Sequence, residues 1–514
     1  MKTKVSGGVC ACVLAALCGC EVGPDYHAPS MAVNAAYHES ADTRPSEEPS
    51  RLTTVAPNIG QWWTSFNDPE LNSLIDRAVK NNLDLRLAES RLRQARAQRG
   101  MAVAALFPNV NADGGYQHAR GSKNVTIPLG AFGAGGSVPG DPPPPAPAIF
   151  NPTPGGPQSP LGNGGFPGVN TDLYQAGFDA SWELDFFGGV RRSIEAADAD
   201  TAAAMENQRD VLVSLAAEVA ENYVQLRTNQ RQAQIAQQNL EDQQDTLKLT
   251  QSRYQAGFAT QLDVAREAAQ VASTAATLPA LQTAVRQSIH ELGVLLGQDP
   301  DALSDELSAP QPIPPVPPEV PVGVPADLLR RRPDIRRAER QLAAATARIG
   351  VAESDLFPKF SITGSMGLDS SRIKSLMDWQ SRYFVISPGV AWPIFDAGQI
   401  NSNIQVQKEL AQQAQTGYQS TVLNALREVE DALSAYRTEQ VRRRALADAV
   451  DASSTALGLA RQQYQKGVID FLQVLDTERS LLEAQDVLAQ SDSAISTDLI
   501  TLYKALGGGW VEGS

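Results

Sequence analysis

From Val190 to Ala256 the chain contains neither proline nor glycine, and Leu212, Val219, Leu226, Ala233, Leu240, Leu247 and Tyr254 fall at strict steps of seven. Such a run reads as one helix of roughly 100 Å at 1.5 Å per residue, longer than a globular domain can contain. Val422, Val429, Tyr436, Arg443, Val450, Leu457 and Tyr464 repeat the spacing. Beyond a glycine, each run returns along a second heptad series. The first has Val264, Val271, Leu278, Val285 and Leu292, and the second has Val474, Leu481, Leu488, Ile495 and Leu502. The seam is narrow, and its flanks are Gln, Asn and Ala ("RTNQRQAQIAQQNLEDQQD", 227 to 245). Much of each helix must therefore meet water, as the wall of a hollow tube would. Pro279 breaks the pattern in the first copy and predicts a kink.

The doubling is an internal repeat. "AALFPNVNADGGY" (104 to 116) matches "SDLFPKFSITGSM" (354 to 366) at an offset of 250, and from "SWELDFFGG" (181 to 189) against "AWPIFDAGQ" (391 to 399) onward the offset is 210. The first copy thus carries a 40-residue insertion, and residues 121 to 170 hold 12 Gly and 12 Pro, the composition of an exposed loop. "APQPIPPVPPEVPVGVP" (309 to 325) reads as a stiff extended linker between the copies.

Before each long helix the period changes to two. Tyr174, Ala176, Phe178, Ala180, Trp182, Leu184 and Phe186 alternate with polar or small residues, and Phe384, Ile386, Val390, Trp392 and Ile394 do the same. Val110, Ala112, Gly114 and Tyr116 follow one Phe-Pro, while Phe360, Ile362, Gly364, Met366 and Leu368 follow the other. These patterns predict two hairpins, four strands in all, each near the 9 to 11 residues of a tilted membrane strand. Four strands leave two open edges, which lipid does not tolerate, so several copies must close one barrel.

The first twenty residues, "MKTKVSGGVCACVLAALCGC", read as a secretory signal ending in a lipobox, with cleavage before Cys20 and a covalent lipid on that cysteine. All four cysteines lie in this segment, so disulfide and thiol chemistry are not expected in the mature chain. With 43 basic against 58 acidic residues and a net charge of −15, nucleic acid is not an expected partner. The histidines (His27, His38, His118 and His290) are scattered, so no metal site is expected. After the signal no apolar stretch is long enough for a transmembrane helix. There is no phosphate loop, nucleophile elbow or zinc spacing, and the chain does not read as an enzyme.

"VGPDYHAP" (22 to 29), "WWTSFNDPELNSLIDRAVKNNLDL" (62 to 85), the two Phe-Pro strand starts, "LLRRRPDIRRAER" (328 to 340) and the glycine turns of "YQAGFATQLDVAREAAQ" (254 to 270) and "YQKGVIDFLQVLDTERS" (464 to 480) complete the pattern. With the lipobox, they make the chain resemble the TolC-like outer membrane factors, in particular the NodT-type lipoprotein channels of resistance-nodulation-division efflux systems. The resemblance implies a mainly α fold with a membrane β-barrel. It implies a homotrimer whose twelve-stranded barrel, four strands per chain, stands on a periplasmic α-helical barrel built from two repeats. The expected divisions are a cleaved signal at 1 to 19 and a lipidated tether at 20 to 68. Repeat 1 spans 69 to 297, with strands at 108 to 120 and 173 to 186 and helices at 189 to 254 and 260 to 297. The linker covers 298 to 327. Repeat 2 spans 328 to 506, with strands at 358 to 370 and 382 to 396 and helices at 399 to 464 and 470 to 506, and a tail follows at 507 to 514.

The resemblance further implies a passive exit duct for drugs or other small solutes, lipid-anchored in the outer membrane. Its partners would be outer membrane lipid, a periplasmic adaptor and an inner-membrane transporter; no cofactor is implied beyond the lipid on Cys20. Adaptor docking falls by resemblance on Arg253, Tyr254, Gly257, Asp263, Tyr464, Gly467 and Val474. The periplasmic gate falls on Asp470, Phe471, Leu472, Gln473 and Asp476. Asp476 occupies one position of an acidic ring, whereas Gln473 stands where the family has a second carboxylate. Ile469 stands where some relatives have a gate-locking basic residue, which shifts the expected closure toward apolar contacts around Phe471, Leu472 and Leu475. A duct for polypeptide secretion and a structural coiled-coil envelope lipoprotein are the alternatives. The lipobox and the 328 to 340 motif favour efflux over the first, and the two-faced strands argue against the second.

Overall fold

The computed structural model describes residues 21–39, 50–53, 55, 59–120 and 170–510. Cys20, most of the Gly/Pro-rich insertion and the last four residues lie outside the described residues. The elements run β1 (Arg51–Thr53), α1 (Pro69–Asn81), α2 (Leu83–Ala104), β2 (Asn109–Arg120), β3 (Asn170–Leu184), α3 (Gly189–Gln255), α4 (Gln261–Leu295), α5 (Ser304–Leu307), β4 (Glu319–Pro321), α6 (Pro325–Arg331), α7 (Pro333–Ser354), β5 (Lys359–Ser370), β6 (Arg382–Ala391), α8 (Gln399–Gln465) and α9 (Phe471–Ala505). Helices α3 and α8 are each 67 residues, and α4 and α9 are each 35. No helix among the described residues is long and apolar enough to cross a membrane.

The chain divides into two compact units that do not follow the sequence repeats, because each draws segments from both copies. One comprises Met1–Asp25, Gln98–Ala197 and Thr346–Glu409, and the other Tyr26–Ala97, Asp198–Ala345 and Leu410–Ser514.

The first unit is built on one antiparallel sheet in the order β2-β3-β5-β6, two strands from each copy. The register carries Ala112, Phe178, Met366 and Phe384 across the sheet in one row, and Val110, Ala180, Gly364 and Ile386 in the next. These even-numbered positions share one face, and its large members are open: Met366, Phe384 and Ile386 are 61%, 78% and 70% exposed. The opposite face carries Asn111, which donates to Asp179 at 3.1 Å, together with Gln175, Ser361 and Thr363. A Cβ on Gly367 would lie 2.6 Å from the Ala176 carbonyl oxygen and 2.8 Å from the Gly177 Cα, and the Tyr383 ring covers the gap. The strands can approach there only because neither Gly177 nor Gly367 has a side chain.

At the helix-side ends of the strands the two copies use the same device. The Trp182 indole donates to the Leu106 carbonyl at 2.9 Å, and Trp392 donates to Leu356 at 3.0 Å. Asp185 then accepts from the Val190 and Arg191 amides, and Asp396 from Gly398 and Ile400, satisfying the free N–H groups at the starts of α3 and α8. Strand β6 ends at Ala391, short of the expected 396, and β3 ends at Leu184, short of 186. Pro393 cannot donate to a ladder, and Ala397 and Gly398 take positive φ to turn into α8, which leaves Ile394 and Phe395 nearly fully exposed. Strand β3 starts at Asn170, three residues earlier than expected. Helix α4 continues through Pro279, which stands inside it.

The core of the second unit is where the heptad seam is fully buried. Val219, Leu226, Val422, Val429 and Tyr436 meet Leu71, Leu74, Ile75, Trp62 and Phe66, with Trp62 stacked on Tyr503 at 5.4 Å. Helix α1 starts on Asp68, whose carboxylate accepts from the Glu70 and Leu71 amides, with Pro69 at its first position. The Pro-rich linker is not a free spacer but is fastened along its length. Gln230 donates to the Leu307 carbonyl, Arg227 to Ala309, Ser496 to Pro314 and Ser50 to Pro317, while Leu303 and Leu307 are fully buried. Within the 328 to 340 motif, Arg332 donates to the Ala505 carbonyl and pairs with Asp334 and Glu428, Arg336 pairs with Glu206, and Arg337 pairs with Asp210. This run of arginines therefore clamps α3, α8 and the end of α9.

Candidate functional site

The two glycine turns lie in the second unit, and their backbones are alike. At the end of α3 the Gly257 amide donates to the Tyr254 carbonyl at 3.0 Å and Phe258 to Arg253 at 2.8 Å. At the end of α8, Gly467 donates to Tyr464 and Val468 to Gln463, each at 2.9 Å. This is a Schellman closure, and it needs the left-handed conformation the glycines have, φ +80° and +71°. No atom crowds the position of a Cβ on Gly257, so the backbone angle alone calls for glycine there.

The helices that leave the turns start differently. Thr260 caps α4 and forms a capping box with Asp263, whose carboxylate accepts from the Thr260 amide at 2.9 Å and its hydroxyl at 2.7 Å. Asp470 is the N-cap of α9 but makes no side-chain cap hydrogen bond, and it is exposed. Asp263 is thus engaged within its own turn, whereas Asp470 is open to solvent.

Arg253 joins the two turns. Its guanidinium donates to the Gln465 carbonyl at 2.9 Å and lies 4.6 Å from the centroid of the Tyr464 ring, which in turn meets Phe471 at 5.5 Å. Tyr464, Phe471, Val474, Leu475, Leu457 and Leu481 form a separate small core. Of the residues expected to dock an adaptor, Tyr464 and Val474 are therefore interior, and Tyr254 is exposed, as are Phe258 and Val468 beside the glycines. Of those expected at a gate, Phe471 is interior, while Leu472, Gln473 and Asp476 are exposed on α9.

A polar layer beneath this core escaped the sequence reading. Glu478 of α9 is buried and accepts from Arg461 of α8 at 3.0 Å and from the Thr246 hydroxyl of α3 at 3.2 Å. Glu267 of α4 is fully buried, and neither of its carboxylate oxygens has a partner among the described residues. Arg479 donates to Gln270, one turn along α4. The signal was available, because Glu267 stands three residues after the seam residue Val264 and Glu478 four after Val474, spacings that share the seam's side of the helix. Burial, and then the Glu478 charge, push Glu267 up to about 8, against the opposing influence of Arg461 and Arg479. Burial also raises Glu478, while Arg461 and Thr246 hold it down and Asp242 of α3 adds to the rise.

The model of the outer membrane efflux protein family matches residues 74–298 and 324–508. The chain belongs to this family. It is 31% identical to nodulation protein T of Rhizobium leguminosarum bv. trifolii over 499 residues, 96% of this chain and 95% of that protein. It is 31% identical to the antibiotic efflux pump outer membrane protein ArpC of Pseudomonas putida, over 99% and 96% of the two chains. Among solved structures, the outer-membrane channel OprN superposes with a TM-score of 0.82 at 35% identity, covering 96% of this chain and all of that one. A CusC structure gives 0.75 at 28%, covering 95% and 100%. As an outer membrane efflux protein of TolC-like fold, the chain is an outer membrane transport component extending into the periplasm and not an enzyme.

Burial holds a proton on Glu267 in the packed tip, so the packed state binds more protons than an open or unfolded one. Its contribution is complete below the ordinary carboxylate pKa and is lost as pH rises through about 8. The thermal midpoints of wild type and Glu267→Gln should therefore be close at pH 5 and diverge toward pH 9, with wild type the lower. A gap that does not change with pH would contradict a buried neutral Glu267.

Proposed function

We propose that the chain is the exit duct of a tripartite efflux pump, passing small solutes outward on energy supplied by an inner-membrane transporter through a periplasmic adaptor. The observation that carries this reading is the two-faced four-stranded sheet, whose edge strands β2 and β6 pair on one side only among the described residues. Lipid leaves such edges no hydrogen-bond partners, so further copies must supply them, and three copies make the twelve-stranded barrel of the family. The helices α3, α4, α8 and α9 of three chains then form the periplasmic duct. Cys20 is the lipidated N-terminus in this proposal, and acyl chains on it would be read in the intact mass of the mature protein. The names of relatives as antibiotic or cation efflux components support small solutes over polypeptides.

The turns are the adaptor end. Tyr254, Phe258, Val468 and the two glycine turns offer the exposed surface, with Arg253, Asp263, Tyr464 and Val474 shaping it from within. In a host lacking the gene, the wild-type protein should restore export of accumulated dyes and antibiotics, and Arg253→Glu should restore less while lowering adaptor crosslinking. Full restoration with unchanged crosslinking would remove Arg253 from the docking account. A secretion defect without solute accumulation in the deletion strain would replace efflux with polypeptide secretion.

Asp476, exposed one and a half turns into α9, is the ring carboxylate of the gate. Carboxylates gathered on one axis focus a negative potential that draws cations. In planar bilayers the channel should be cation-selective, and Asp476→Ala should weaken block by divalent and trivalent cations. Equal block in both proteins would put the ring elsewhere.

A further inference from the structure

The end of the sheet away from the helices carries a cation on its apolar face. Strand β5 begins just after α7 and β6 leads into α8, so the loop joining them closes the opposite end. The register sets Arg382 opposite Leu368, on the face of Phe384, Ile386 and Met366, which is the face toward lipid. One row farther out, Tyr116 stands opposite Tyr174 with ring centroids 4.8 Å apart. An aromatic row at the edge of an apolar face is the level of the lipid headgroups in a membrane barrel. Arg382 therefore sits at the boundary between hydrocarbon and headgroup.

A guanidinium is tolerated at that level, where anionic headgroups are within its reach. Among the described residues no carboxylate pairs with Arg382. Its guanidinium instead lies 3.9 Å from the centroid of the Trp379 ring, and that ring is 77% exposed. Stacking fixes the plane of the fork while leaving its N–H edge free. The loop that presents Trp379 is internally braced. The Ser370 and Ser375 hydroxyls are 2.8 Å apart, the Arg372 amide donates to Ser370, and Ser381 donates to the Ser375 carbonyl at 2.7 Å. It also carries exposed Arg372 and Lys374 against one carboxylate, Asp378, in a chain of net charge −15. Ile373 and Met377 stand out from it at 60% and 78% exposure.

We infer that Arg382 on Trp379, with the apolar and basic loop 371 to 382, is a binding site for a phosphate of an outer-leaflet lipid, specifically the bisphosphorylated lipid A of lipopolysaccharide. The inference rests on the barrel reading above, which orients this end outward. A planar fork receives a phosphate by two parallel hydrogen bonds. Ile373 and Met377 meet acyl chains, and Arg372 and Lys374 supply charge beside the headgroup.

The test is native mass spectrometry of the purified full-length protein titrated with bisphosphorylated lipid A, with its dephosphorylated form and with phosphatidylglycerol. Wild type should bind bisphosphorylated lipid A in preference to both others. Arg382→Gln should weaken that binding about tenfold, as loss of a charge-assisted contact does, and Arg442→Gln, on an exposed helix face, should not. Trp379→Leu keeps the charge and the apolar bulk but loses the stack, and an intermediate loss is expected. This second variant keeps the question decidable if Arg382→Gln yields too little folded protein. Equal lipid A binding by wild type and both loop variants would overturn the site. Equal binding of phosphatidylglycerol and lipid A would overturn the choice of lipid, and neither result would touch the efflux reading.

Discussion

Backbone N–H and C=O groups cannot be left unpaired in hydrocarbon, and much of this protein is arranged around that fact. One chain supplies four strands whose large apolar residues gather mostly on one face by register, with edge strands β2 and β6 that pair on one side only among the described residues. Glycines at 177 and 367 let the middle strands close up, and Trp182 and Trp392 tie the helix-side ends to the carbonyls of Leu106 and Leu356. Asp185 and Asp396 then convert strand to helix within a few residues by accepting the first helical amides.

The helical part solves a different problem with the same economy of apolar side chains. Two local cores, one around Trp62, Tyr223 and Tyr436 and one around Tyr464 and Phe471, anchor the long helices, and between them the seam is thin. Polar residues add to them: Arg332, Arg336 and Arg337 pair with Glu428, Glu206 and Asp210 on neighbouring helices, and Glu267 and Glu478 are buried beneath the second core. A buried carboxylate without a hydrogen-bond partner is a weak point in packing, and its location makes the region beside the turns sensitive to charge.

The elements are legible in the periodicity of the sequence. Steps of seven mark α3, α4, α8 and α9, and steps of two mark the strands, because each element buries or exposes a face with its own period. The ends were less legible. Pro393 and the positive φ of Ala397 stop β6 earlier than its alternation suggests. At the turns the glycines were readable from spacing, but the roles of their neighbours were not. Asp263 is occupied by Thr260, and Val474 is interior. Arg253 reaches a partner 212 positions away, a contact that local sequence cannot reveal. Glu267 and Glu478 were hidden because the steps of seven were followed through Val264 and Val474, and these glutamates stand three and four residues beyond them.

The central claim is that the open edges of the sheet are closed by other copies of the same chain. All four cysteines lie within the first twenty residues, so cysteines placed on β2 and β6 report on those strands with little background. With one cysteine fixed on β2 and a second walked along β6, oxidation in native membranes should give covalent products of two and three chains and none larger. Products confined to single chains, or ladders running beyond three, would contradict a barrel closed by three copies.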